Sequence, residues 1–141
     1  MKVCQFVVPG EPVAKGRPRF ARQGQYVRTY TPKKTEDYEK FVQLCWRRQS
    51  GVVFPERTAL AVKIRAYFKI PKSISNRKRA EMIGKPHIKK ADGDNIAKSI
   101  LDSVNRVAFD DDSAIARLEV EKRYDEIPRV EVYITEWENE C

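Results

Sequence analysis

Histidine is nearly absent from this chain: His87 stands alone among 141 residues. That count excludes an H-E-x-x-H motif and any His-rich metal cluster, and it leaves little room for a histidine-based nuclease centre. His87 itself reads as structural or at most accessory. Cysteine is nearly as scarce. Cys4, Cys45 and Cys141 are far apart and form no C-x-x-C pair, which argues against a disulfide framework and against a zinc ribbon. Reduced thiols, buried or idle, are expected. No apolar run approaches the roughly 18 residues of a membrane span. The Met1-Lys2-Val3 start runs straight into FVVPG without the apolar core of a signal peptide. A soluble, cytoplasmic protein with no membrane contact is expected, and any metal or acid–base chemistry falls to its carboxylates and lysines.

Positive charge is what the chain has in surplus. Lys and Arg number 28 against 20 Asp and Glu, for a formal net charge of +8 and a pI near 9.5. Such a balance favours a polyanionic partner, nucleic acid first and an anionic membrane surface second. Solubility alone is the plainer alternative. The length is that of one domain over residues 1–141, long enough to bury a core.

Hydrophobic periodicity predicts the elements. KVCQFVV (2–8) reads as a strand ended by Pro9-Gly10. Residues 10–25, GEPVAKGRPRFARQGQ, lack helix or strand pattern and read as a long basic loop carrying Lys15, Arg17, Arg19 and Arg22. Phe20 and Tyr26 interleave with these charges, which suits phosphate contact with stacking. Thr31-Pro32-Lys33-Lys34 opens a helix whose Tyr38, Phe41, Val42, Cys45 and Trp46 form a core stripe. ALAVKIRAYFKI (59–70) alternates as a strand, with Leu60, Val62, Ile64, Ala66 and Phe68 on one face. A polar helix follows around 73–82. The next spans 94–105, with Ile96, Ala97, Ile100, Leu101 and Val104 inward and Asp94, Lys98 and Asp102 on the other side. The last third reads as a hairpin: 114–124 with Ala116, Leu118 and Val120 inward, a turn at 125–128, and 129–136 with Val130, Val132 and Ile134 inward. The order implies a single α+β domain, helices packed on a mixed or mostly antiparallel sheet.

Against the basic background, residues 92–112 are acidic. Six aspartates (92, 94, 102, 110, 111, 112) against Lys98 and Arg106 give 2 − 6 = −4, leaving +12 for the remainder. Asp92 and Asp94 flank Gly93 at a helix start. One of them can cap the helix, an effect of about 1 kcal/mol, but capping does not need two. Two carboxylates spaced i, i+2, with Gly93 letting the backbone bend, can instead converge outside the helix end. Lys98, one turn on, can neutralise Asp94 or reach a phosphate. Asp111 and Asp112 precede a strand at the end of the return from the same helix, a length that can bring Asp112 back beside it. Carboxylates of this kind hold hard cations such as Mg²⁺ together with substrate phosphate, and such an ion can drive phosphodiester hydrolysis. A basic exterior would gather the polyanion and an acidic spot would hold the metal that cuts it. No Ca²⁺ loop fits. Counted from Asp92, such a loop finds Ile96, Ala97 and Ser103 where it needs Asp or Asn, Gly and Glu. The strand EVEKRY (119–124) contains no Glu-x-Lys triplet of the commoner nuclease type.

DGDNIAKSILDSVN (92–105) followed by FDDDSAIARLEVEKRY (109–124) resembles the RusA family of Holliday junction resolvases, with its D-x-D-N-x-x-K block and its D-D-S/A before a strand. GEPVAKGRPRF and TPKKTEDYEKF are similar to phage- and prophage-borne members. The resemblance implies an Mg²⁺-dependent endodeoxyribonuclease, with Mn²⁺ as a substitute, acting as a homodimer that makes paired symmetric nicks in branched DNA. It implies Asp92, Asp94 and Asp112 as metal ligands, Lys98 as the essential lysine, and Asp102 and Asp111 as accessory acids. Lys15, Arg17, Arg19, Lys89 and Lys90 would contact DNA. A C2 dimer would offer two equivalent sites to a two-fold junction, with Arg117 and Tyr133 as candidate interface residues. Ala91 departs from the family where a proline often precedes the first aspartate, and Asp110 adds an acid to the usual pair.

Overall fold

The structure, a computed structural model, describes residues 2–16, 19–30 and 32–138. Ten elements follow in order: strands β1 (Val3–Pro9), β2 (Arg19–Gln23) and β3 (Tyr26–Tyr30), helix α1 (Lys33–Gln49), strand β4 (Leu60–Lys69), helices α2 (Asn76–Met82) and α3 (Gly93–Val104), a 3₁₀ turn (Asp112–Ala114), and strands β5 (Ile115–Asp125) and β6 (Arg129–Glu136). Four strands form a mixed sheet in the order β1-β6-β4-β5. β6 runs antiparallel to both β1 and β4, whereas β4 and β5 are parallel. The domain is α+β as expected.

The pleat sends Leu60, Val62, Ile64, Ala66 and Phe68 of β4 inward, beside Val130, Val132 and Ile134 of β6 and Cys4, Phe6 and Val8 of β1; all are buried. Against this face pack the two long helices. α1 contacts β1 and α3, and α3 contacts β5. The core stripe of α1 is narrower than its periodicity predicts. Val42, Cys45 and Trp46 are buried and Tyr38 is half-buried, but Phe41 is 40% exposed because it lies at the rim of the stripe. Every apolar residue assigned to the buried side of α3 is buried. Cys4 and Cys45 are free buried thiols, and burial pushes both thiol pKa values up. Cys141 lies outside the described residues.

Two further expectations are corrected. The last third is not a hairpin, because β4 lies between β5 and β6. A strand, a helix and a strand make a crossover unit that pairs its strands in parallel, so β5 takes one side of β4 and β6 the other. The connection after Asp125 therefore steps across two strand spacings. As an edge strand β5 is poorly covered: Ala116 is exposed, Leu118 is 46% exposed, and only Val120 of its inward trio is half-buried. The basic loop is likewise not patternless throughout, since Arg19–Gln23 and Tyr26–Tyr30 pair as a two-stranded antiparallel ribbon. Its turn uses Gly24 at φ +61°, a left-handed conformation open to glycine.

A candidate carboxylate site at the start of α3

The first half of the basic loop is pinned between the helices. Ser99 Oγ donates to the Val13 carbonyl (2.7 Å), and Lys15 N donates to the Asn95 carbonyl (2.8 Å). Gly16 N donates to Thr35 Oγ1 at 3.0 Å, and a Cβ on Gly16 would stand 2.7 Å from that oxygen, so no larger residue fits. The Lys15 ammonium lies between Glu39 and Asp102, 3.0 Å from the latter. Lys15 and Asp102 thus join α1, α3 and the loop, and both side chains stay partly exposed. Arg17 lies outside the described residues, and for Arg19 only the backbone in β2 is described.

Asp92 occupies the N-cap position of α3, yet its side chain makes no capping hydrogen bond. Asp94 sits in the first turn. Both are exposed, and among the described residues neither carboxylate has a hydrogen bond or ion pair. Lys98 is exposed one turn further and forms no ion pair with Asp94 among the described residues. The bend lies two residues earlier than expected. Gly93 is the first residue of the helix, and Ala91 carries the left-handed conformation at φ +88°. Gly93 packs against Val120 of β5, its Cβ position 3.6 Å from Val120 Cγ1.

At the other end of the return, Ala108 and Phe109 are buried anchors, and Phe54 N donates to the Ala108 carbonyl (2.8 Å). Asp111 caps the 3₁₀ turn by accepting from Ser113 N at 3.3 Å. Hydrogen bonding to Ser113, from its side chain and backbone, holds the Asp111 carboxyl below its ordinary value. Asp112 is exposed. Asp111 is therefore engaged locally and Asp112 is the freer of the two. The turn ends at Ile115, which pairs with Leu60, whereas Val120, beside Gly93, pairs with Ile64. Among the described residues no three carboxylate, histidine or cysteine side chains converge to hold a metal ion. Asp92 and Asp94 at the start of α3 and Asp112 at the start of the 3₁₀ turn stand at the two ends of the segment that leads from α3 into β5.

Between α2 and α3 the chain lies along the edge of β5. Gly84 N donates to the Tyr124 carbonyl (2.8 Å), Tyr124 N to the Lys85 carbonyl (2.9 Å), and His87 N to the Lys122 carbonyl (2.9 Å). The His87 ring stacks on Phe68 with centroids 3.8 Å apart and meets Tyr124 edge-on. This display leaves Lys89 and Lys90 exposed just before Asp92. The lone histidine is structural, as its scarcity implied. Burial pushes its imidazole below the ordinary 6.5, and the charge on Lys122 adds to the effect against an opposing pull from Glu11. A lowered folded-state value means that stability is complete above pH 6.5 and is lost as pH falls through the lower value. The thermal midpoint should decline as pH drops from about 6.5, and His87→Phe should flatten that decline. Parallel profiles for the two proteins would remove His87 as the cause.

Lys122 escaped sequence reasoning altogether. It sits among the inward positions of β5, and its ammonium donates to the carbonyls of Lys89 and Ala91, both at 2.8 Å. A lysine on the inward register of an otherwise apolar strand face is the signal that was there to find.

An α+β domain that presents two exposed aspartates at a helix start, beside exposed lysines on a strongly basic chain, suits contact with a polyanion such as nucleic acid. The comparisons sharpen that reading. The family model for endodeoxyribonuclease RusA matches residues 9–135. The chain is also 35% identical to the uncharacterized protein YqaN of Bacillus subtilis (strain 168), over 96% of this chain and 98% of that protein. This chain belongs to the RusA endodeoxyribonuclease family. No helix among the described residues is long and apolar enough to cross a membrane.

Proposed function

We propose that this protein is an Mg²⁺-dependent, structure-selective endonuclease that resolves four-way DNA junctions by paired, symmetric nicks, with Mn²⁺ able to replace Mg²⁺. The observation that carries the reading is the pair of exposed carboxylates Asp92 and Asp94 at the start of α3, without partners among the described residues, in a chain of net charge +8. Two carboxylates plus phosphate oxygens and water form a usual ligand set for Mg²⁺, so this end of the site fits the ion. When bound, the metal would polarise the phosphoryl group and favour a hydroxide-like nucleophile. Asp92, Asp94 and Asp112 would hold the ion. Lys98 steadies the scissile phosphate or its leaving oxygen. Lys89, Lys90, Arg17 and Arg19 grip the DNA backbone and set the register of the junction. The protein works in the cytoplasm, in recombination and repair of DNA, as a homodimer whose two sites address opposing strands. The sheet face turned away from the helices, with Tyr133 41% exposed and Arg117 beside it, is the surface offered for that pairing.

The net charge of +8 would equally suit one rival, a module that binds branched DNA without cutting it. Cleavage of a four-way junction beside a linear duplex of the same arm sequences, each with Mg²⁺ or with EDTA, separates the two readings. Paired nicks confined to the junction and abolished by EDTA are expected. Equal cutting of both substrates would remove junction selectivity, and tight binding without cutting would leave the module.

A further inference from the structure

We propose that Lys122 is a positioning residue that holds the candidate carboxylates in place through the backbone. The inference rests on the reading of Asp92 and Asp94 as metal ligands. Ala91 adopts φ +88° immediately before Asp92. For a residue with a Cβ such a conformation is strained and persists only where its surroundings over-determine it. Lys122 supplies the restraint. Its Nζ donates to the carbonyls of Lys89 and Ala91 at 2.8 Å each, and its own carbonyl accepts from His87 N at 2.9 Å. One residue of β5 thus grips the connection at three points between 87 and 91. Bonds from an ammonium are roughly twice as strong as neutral ones. Because the peptide unit is rigid, fixing the Ala91 carbonyl fixes the plane from which Asp92 departs, and with it the place of the Asp92 Cα. The residue after Asp92, Gly93, is seated on Val120 of the same strand, so β5 supports the start of α3 on both sides of Asp92. Among the described residues Lys122 forms no ion pair with either aspartate, so it acts on them through the chain.

The test is Mn²⁺ binding to the full protein without DNA, read from the electron paramagnetic resonance of the free ion, together with the Mg²⁺ dependence of junction cleavage. Lys122→Met keeps the aliphatic stem and removes the donors. Mn²⁺ affinity should fall by about 10- to 100-fold, the range seen when groups that orient metal ligands are lost. The Mg²⁺ concentration for half-maximal cleavage should rise more than the saturated rate falls. Adding Ala91→Gly should restore much of the Mn²⁺ affinity, since glycine adopts the left-handed turn without restraint. Wild-type Mn²⁺ affinity in Lys122→Met would overturn the inference. So would an unchanged affinity with a salt slope of junction binding lower by about one, which would make Lys122 a phosphate contact. If Lys122→Met fails to fold, the double variant decides: folded with restored affinity it supports positioning, and unfolded it makes Lys122 a requirement of the fold alone. A wild-type protein that neither binds Mn²⁺ nor cuts would instead remove the metal-site reading itself.

Discussion

Asp94→Asn should abolish strand cleavage of a four-way junction while leaving junction binding intact or tighter. The side chain keeps its shape and its place in the first turn of α3, where it is exposed and has no partner among the described residues, so the fold loses no more than a small favourable charge at the helix start. What it loses is a charged oxygen ligand. Metal-ion stabilisation of developing charge amounts to several kcal/mol, and about 4 kcal/mol corresponds to roughly a thousandfold in rate. Removing one negative charge beside a polyanion meanwhile lessens repulsion, so binding measured by gel shift or fluorescence anisotropy should hold or strengthen. Cleavage at the wild-type rate would show that Asp94 holds no catalytic metal. Weakened binding with lost cleavage would instead point to a damaged helix start, which an unchanged thermal midpoint excludes.

How much of this was legible in the sequence differs between fold and site. Periodicity found α1, β4, α3 and β6, because each buries one stripe at a regular period and burial is the dominant force on such segments. It failed where an element depends on its neighbours. The short connection after Asp125 is locally a hairpin turn, but β4–α3–β5 is a crossover unit, and the side of β4 that β5 occupies is then closed to β6. Leu118 alternates like a buried residue and is 46% exposed, since an edge strand lacks cover over its length. The ribbon β2–β3 carries charge on a bare backbone ladder and offers no apolar alternation to detect. At the site, the D-x-D block and its place at a helix start were readable. The free state of Asp92 and the local engagement of Asp111 with Ser113 were not, because both turn on hydrogen bonds that spacing does not specify. Lys15 reads by composition as a DNA contact, yet in three dimensions Glu39 and Asp102 converge on it. A charge in a basic run declares its sign and leaves its partner undeclared.

The same topology makes the largest stability prediction, as a contrast between two aliphatic residues that look alike in sequence. Ile64 and Leu118 both fall on the inward register of alternating strands. Ile64 lies at the centre of β4, fully buried, with Val132 of β6 on one side and Val120 of β5 on the other. Truncation there leaves a hole framed by backbone ladders on both sides, which cannot close over it. Ile64→Ala should therefore cost about 4 kcal/mol, toward the upper part of the range for such changes. At roughly 3 °C per kcal/mol for a domain of this size, the thermal midpoint should fall by about 12 °C. Leu118→Ala should cost under about 1 kcal/mol, because a side chain left nearly half in solvent has little burial to lose. Were β5 paired with β6 as a hairpin packed beneath the helices, Leu118 would be a core residue and the two costs would approach each other. Denaturant midpoints of the two variants, at unchanged m-value, measure the difference directly. A gap of less than about 1 kcal/mol between them would place β5 inside the sheet and overturn the order β1-β6-β4-β5.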